Sequence, residues 1–106
     1  MHRARADADV FRAIADPTRR RILDRLRDGP RAVNALAADF DQSRPAVSKH
    51  LRVLRGAGLV SEERSGRERV YQIRPAPLRK VVAWIEGYRT MWQANLGNLK
   101  RYLEKP

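Results

Sequence analysis

Apolar residues recur along this chain at two periods, and each change of period marks an element. Val10, Phe11 and Ile14 share one face at helical spacing, which predicts a first helix from about Asp7 to Ala15. Asp16-Pro17 restarts the chain, with Asp as N-cap and Pro at the first helical position, where a missing N–H leaves nothing unpaired. A second helix follows to about Asp28 with Ile22, Leu23 and Leu26 as its stripe, and Gly29-Pro30 stops it. Val33, Leu36, Ala37 and Phe40, spaced i, i+3, i+4, i+7, give a short third helix from roughly Val33 to Asp39. Asp41-Gln42-Ser43 forms a tight turn, and Ser43 caps a fourth helix from Arg44 to about Arg55 that tolerates Pro45 in its first turn. Gly56 and Gly58 bracket its end. Leu59 to Arg64 and Arg69 to Ile73 then read as two strands joined by the turn Ser65-Gly66-Arg67. Tyr71 and Ile73 point to one side of that hairpin, Val70 and Gln72 to the other.

From Pro77 to about Glu104 the pattern is helical again, and about 28 residues at 1.5 Å each make a helix of about 42 Å. Leu78, Ile85, Trp92 and Leu99 recur every seven residues. Val81, Tyr88 and Tyr102 form the second line of the seam, with Asn95 its polar exception, and Val82, Leu96 and Leu103 widen it. A small core cannot cover so long a stripe. Its first half therefore packs within the subunit, and its second half is expected to pair with another. The expected interface comprises Val10, Phe11, Ile85, Tyr88, Trp92, Leu96, Leu99, Tyr102 and Leu103.

Three helices, a fourth after a tight turn, and a hairpin make a fold that is mostly α with a small β-hairpin. This is the plan of a winged helix-turn-helix with a long C-terminal dimerisation helix. Residues 1–106 read as one domain, with a binding core at 7–74, a wing at 59–73 and the dimerisation helix at 77–104.

Charge changes the picture most at the fourth helix. Stepped at 100° per residue, Arg44, Pro45, Ser48, Lys49, Arg52 and Arg55 fill one half of it, while Ala46, Val47, His50, Leu51, Val53 and Leu54 fill the other. No acid lies between Arg44 and Arg55. The whole chain carries 23 Lys+Arg against 12 Asp+Glu, a net charge of +11 on 106 residues, which calls for a polyanionic partner. The hairpin adds Arg64, Arg67 and Arg69, partly offset by Glu62, Glu63 and Glu68. The expected partner is double-stranded DNA. Its contacts are Arg44, Pro45, Ser48 and Lys49 toward the bases, Arg52 and Arg55 toward phosphates, Gln42 and Ser43 at the start of the helix, and Arg64, Arg67 and Arg69 on the wing. Two other readings share these charges: a winged-helix module for protein contacts, and a sequence-tolerant nucleoid or RNA-binding protein.

Other chemistry is thinly represented. There is no cysteine, hence no disulfide, thiolate metal site or thiol nucleophile. No Gly-rich phosphate loop or nucleophile–base–acid set suggests an enzyme, so no catalytic residue and no cofactor is expected. The longest apolar run, Val81 to Ile85, is too short to span a bilayer, and no apolar h-region follows the first residues, so a cytoplasmic location without membrane contact is expected. His50, within the apolar half of the fourth helix, reads as a core-edge imidazole that could also fix the placement of that helix. Trp84, Tyr88, Met91 and Trp92 read as core or interface, or as the lining of an effector pocket whose ligand is unknown.

Four stretches carry a resemblance: Ala15-Asp16-Pro17-Thr18-Arg19-Arg20-Arg21-Ile22-Leu23, Ser43-Arg44-Pro45-Ala46-Val47-Ser48-Lys49-His50-Leu51, Val53-Leu54-Arg55-Gly56-Ala57-Gly58-Leu59-Val60 and Gly66-Arg67-Glu68-Arg69-Val70-Tyr71. In this order and spacing the chain resembles the ArsR family of bacterial winged-helix repressors from about Val10 to Tyr102. The resemblance implies a homodimer held by the first and last helices, an operator with dyad symmetry, and repression released by a signal. Arsenic- and cadmium-sensing members carry Cys-Val-Cys where this chain has Ala32-Val33-Asn34. Zinc-sensing members use Asp, His and Glu on the last helix, where this chain offers Glu86 and Glu104 and no His. In Arg44-Pro45-Ala46-Val47-Ser48-Lys49-His50-Leu51 and in the helix of Trp84 and Trp92, the chain looks most like the subgroup without metal, whose members are often autorepressors.

Overall fold

A computed structural model describes the backbone of residues 2–104 and the side chains of residues 9–95, 97, 101, 103 and 104. Helix α1 (His2–Ala15) and α2 (Pro17–Leu26) are followed by a two-residue strand β1 (Arg31–Ala32), α3 (Val33–Asp39) and α4 (Arg44–Gly56). Then come β2 (Val60–Ser65), β3 (Glu68–Ile73), a 3₁₀ turn at Ala76–Leu78, α5 (Arg79–Glu86) and α6 (Arg89–Glu104).

The helix junctions follow from local chemistry. Asp16 Oδ2 accepts the Arg19 N–H at 3.0 Å, and Ser43 Oγ accepts the Ala46 N–H at 3.2 Å, so each side chain satisfies one otherwise unpaired donor at a helix start. Where α4 ends, Leu59 N donates to Leu54 O at 3.0 Å and Gly58 N to Arg55 O at 2.9 Å, with Gly58 at φ 76°. This left-handed cap needs a glycine, and it seats Leu54 and Leu59 together, both fully buried. Asp41, at φ 50°, plays the same part after α3, a conformation that Asp tolerates better than most residues.

The core gathers buried residues from α1 to α4, β2 and β3. Ile22 and Leu26 of α2, Leu36 of α3, and Val47, Leu51 and Leu54 of α4 are fully buried together with Val10, Leu59 and Val60. Full burial of each such side chain contributes about 1.5–3 kcal/mol. The apolar arc read on the fourth helix is therefore the arc that packs.

The structure departs from the sequence expectations in three places. The wing is a three-stranded antiparallel sheet of order β1-β3-β2, with Arg31 and Ala32 opposite Tyr71 and Val70. Two residues carry too little pattern to announce a strand. Second, the helix expected over 77–104 is interrupted. Gly87 N bonds to Trp84 O at 3.2 Å and Tyr88 N to Ile85 O at 2.9 Å, a tightened 3₁₀-type step between α5 and α6. Glycine at that point costs the helix about 1 kcal/mol relative to alanine, which makes it the natural place for the ladder to tighten. Third, α1 begins at His2, earlier than Asp7. Among the described residues no helix is long and apolar enough to cross a membrane.

Candidate nucleic-acid interface

Helix α4 and the wing face each other across a cleft of about 330 Å³ lined by Val33, Arg44, Ser48, Arg52, Arg55, Glu62, Arg64, Arg67, Arg69 and Tyr71. Register explains which wing residues reach it. Strands β2 and β3 pair with Glu62 opposite Tyr71 and Arg64 opposite Arg69, and residues two apart share a face. Six arginines thus meet around one carboxylate.

The hairpin closes through Gly66 and Arg67 between the paired residues Ser65 and Glu68. Gly66 adopts φ 62° while Arg67 stays at negative φ, the pattern of a type II′ turn, whose first central position favours glycine. This turn sets Arg67 at the tip.

Glu62 organises the floor. Its Oε2 accepts the Tyr71 hydroxyl at 2.8 Å and lies 3.3 Å from Arg55 Nη1, and its Oε1 lies 3.8 Å from Arg69 Nε. The side chain is 19% exposed. Burial raises the Tyr71 phenol above its ordinary value, and the hydrogen bond to Glu62 adds to the rise. Arg55 and Arg69, expected as DNA contacts, are thus engaged inside the subunit. Arg44, Arg52, Arg64 and Arg67 line the cleft outside the ion pairs found among the described residues. Of the remaining expected contacts, Ser48 lines the cleft, Ser43 caps α4, Pro45 and Lys49 are exposed beside the cleft, and Gln42 is half-buried in the turn. Sequence reasoning counted Glu62 only as an offsetting charge; its register opposite Tyr71 was the signal available for more.

A second cluster fixes α4 from behind. Arg19 donates from Nε to Ala13 O at 2.8 Å and from Nη2 to Arg12 O at 3.0 Å, capping the end of α1, while Arg20 Nη1 caps Ile14 O at 2.7 Å. Arg19 Nη1 also lies 3.4 Å from His50 Nδ1. A guanidinium only donates, so Nδ1 is the acceptor in this contact. The imidazole thereby ties α4 to the α1–α2 junction, with Asp16 Oδ2 4.0 Å away.

The expected interface residues lie apart from the cleft. Phe11 meets Trp84 edge-on at 5.9 Å, Trp84 meets Tyr88 at 5.4 Å, and Tyr88 stacks on Trp92 at 6.4 Å. This ladder joins α1 to both C-terminal helices. Trp84 is nonetheless 57% exposed, Met91 59% and Trp92 47%. Ile85 is half-buried and Leu103 exposed. Val10 is a correction: at 1% exposure it belongs to its own subunit's core and has no surface to offer a partner. The side chains of Leu96, Leu99 and Tyr102 lie outside the described ones.

Residues 16–62, from the cap of α2 into β2, match the family described as "Bacterial regulatory protein, arsR family". The chain is 49% identical over 78 residues to the HTH-type transcriptional regulator Rv2034 of Mycobacterium tuberculosis, covering 74% of this chain and 73% of that one. It is 38% identical over 77 residues to the transcriptional repressor SdpR of Bacillus subtilis, covering 73% and 86%. Its fold is similar to the crystal structure of an ArsR family transcriptional regulator, RHA00566, with a TM-score of 0.75 at 36% identity over 85% of this chain and 93% of that one. It is also similar, at a TM-score of 0.67 and 28% identity over 87% and 85%, to the solution structure of a homodimeric winged helix-turn-helix DNA-binding domain, Mb0332 from Mycobacterium bovis.

Proposed function

Because this chain belongs to the arsR family of bacterial regulatory proteins, we propose that it is a homodimeric transcriptional repressor that grips a near-palindromic operator between α4 and the wing. The observation that carries this reading is the cleft itself, where Arg44, Arg52, Arg64 and Arg67 converge from two elements with no acid paired to them among the described residues. Arg44 and Ser48, on the first turns of α4, stand where such a helix meets base edges. Arg52 lies further along the helix and serves phosphates. Arg67, at the hairpin tip, reaches the adjacent minor groove or its phosphates. Occupancy of such a site excludes other proteins from the same DNA, which is how a molecule without catalytic groups represses.

The donor set does not suit the metals that some relatives sense. Zinc takes three or four N, S or O ligands in a tetrahedron. At the start of α3 this chain has Ala32, Val33 and Asn34, of which none supplies a thiolate or imidazole, and the sequence has no cysteine. We therefore read it as a repressor whose DNA affinity does not depend on a bound metal.

The test is selection of genomic fragments by the purified protein at about 150 mM salt, near physiological ionic strength. One enriched near-palindrome is the expected result, unchanged by added zinc or chelator. Affinity for it should fall about 10³–10⁵-fold between 50 and 200 mM salt if six to ten phosphates are engaged. Arg44→Ala should flatten the preference for operator over random DNA. Uniform enrichment, or a flat salt response, would overturn the reading.

A further inference from the structure

Glu62 is an acid placed where a polyanion is expected to dock. It touches three elements at once: Arg55 at the end of α4, Arg69 and Tyr71 on β3, and its own strand β2. Each ion pair is weak, because Arg55 and Arg69 are 60% exposed and water screens them. The hydroxyl bond differs, since Tyr71 is buried and its phenol fixes the carboxylate in one orientation. Two positions along the ladder, on the same face, stand Arg64 and Arg69, like charges opposite each other, which repel unless an anion sits between or near them.

We infer that Glu62 is a positioning and specificity-determining residue, which locks the wing at a fixed distance from α4 and keeps phosphates off the cleft floor. The inference rests on the cleft being the DNA site. Its physical content has two parts. By facing Arg55 and Arg69 at once, the carboxylate offsets one unit of their positive charge per subunit and so weakens non-specific phosphate binding. By occupying the floor with negative charge, it penalises any duplex that settles with its backbone there, so full contact is reserved for DNA whose bases face Arg44 and Ser48. Affinity for arbitrary sequence is given up, and discrimination rises.

Glu62→Gln tests this, because the amide keeps an acceptor for the Tyr71 hydroxyl and removes only the charge. Binding of operator and of random-sequence duplex is measured across a salt series. The slope of log K against log salt should steepen by about 2 per dimer as the unopposed positive charge engages phosphates. Affinity for random DNA at about 50 mM salt should rise about tenfold. The operator-to-random ratio should fall. Slope is the deciding readout, since a merely structural residue would lower both affinities without adding counterion release. Tyr71→Phe, which keeps the charge but frees the carboxylate to move, should lower the ratio with the slope unchanged, and it decides the matter if Glu62→Gln does not fold. An unchanged slope in a folded Glu62→Gln protein would overturn the inference, as would an unchanged ratio in Tyr71→Phe. A wild-type protein that binds no DNA overturns the reading of the cleft instead, and is recognised before any variant is compared.

Discussion

Asp16 shows how much one side chain does at the boundary between two helices. It accepts the Arg19 N–H, and that bond holds its carboxyl below the ordinary value of 3.8, helped by the nearby Arg19 guanidinium. A depressed carboxyl stabilises the fold fully above its unfolded value and loses that contribution as pH falls through the folded one. Asp16→Asn keeps a capping side chain but does not titrate. The gap in Tm between wild type and Asp16→Asn should be widest at neutral pH and should close as pH falls below about 3.8. Calorimetry across the acid range checks this, and a gap independent of pH would contradict it. The cap was legible in the sequence because donor and acceptor lie three residues apart. The role of Arg19 and Arg20 was not. Their carbonyl partners belong to the preceding helix, and only the angle between α1 and α2 brings them within reach. Two arginines of the positive surplus are thereby committed to holding the fold, and Arg55 and Arg69 are committed to Glu62.

At the scale of elements, α4 was the most legible. Its arcs at 100° per residue separate cleanly, and the buried set Val47, Leu51 and Leu54 falls where the apolar arc predicts. Strand β1 was illegible because its pairing with β3 joins residues about 40 positions apart and its own pattern is two residues long. The break at Gly87 was hidden by an apolar repeat that runs through it, since periodicity registers the faces of a helix and not its continuity. The aromatic ladder from Phe11 to Trp92 nevertheless remains on one side of both C-terminal helices. Exposed aromatic rings contiguous with methionine exceed what a solitary subunit ordinarily leaves in water, so this face is where a second copy should pack. Trp92→Glu should convert the dimer to monomer in sedimentation at micromolar concentration, while the circular dichroism of the core stays intact. A variant that sediments as a dimer would place the interface elsewhere.

The whole molecule is extended, 60 × 40 × 20 Å with a radius of gyration of 17.8 Å, where a compact chain of this length has about 13 Å. The described side chains of α6 are exposed, and its principal neighbour is α5. An isolated subunit gains little from such an arm. In the proposed dimer, two subunits joined through α1, α5 and α6 would bury it and present two clefts related by a dyad. On this proposal the recognition helices would enter successive major grooves about 34–36 Å apart, and the symmetry of the protein would be imposed on its operator. Methylation protection at guanine N7, which reads the major groove, together with hydroxyl-radical footprinting, which reads the sugars on the minor-groove side, tests that claim most directly on the selected operator of the wild-type protein. The account predicts two protected major-groove patches, about 10–10.5 base pairs centre to centre, each flanked by minor-groove protection that disappears in Arg67→Ala. A single protected patch, or protection without dyad symmetry, would contradict it.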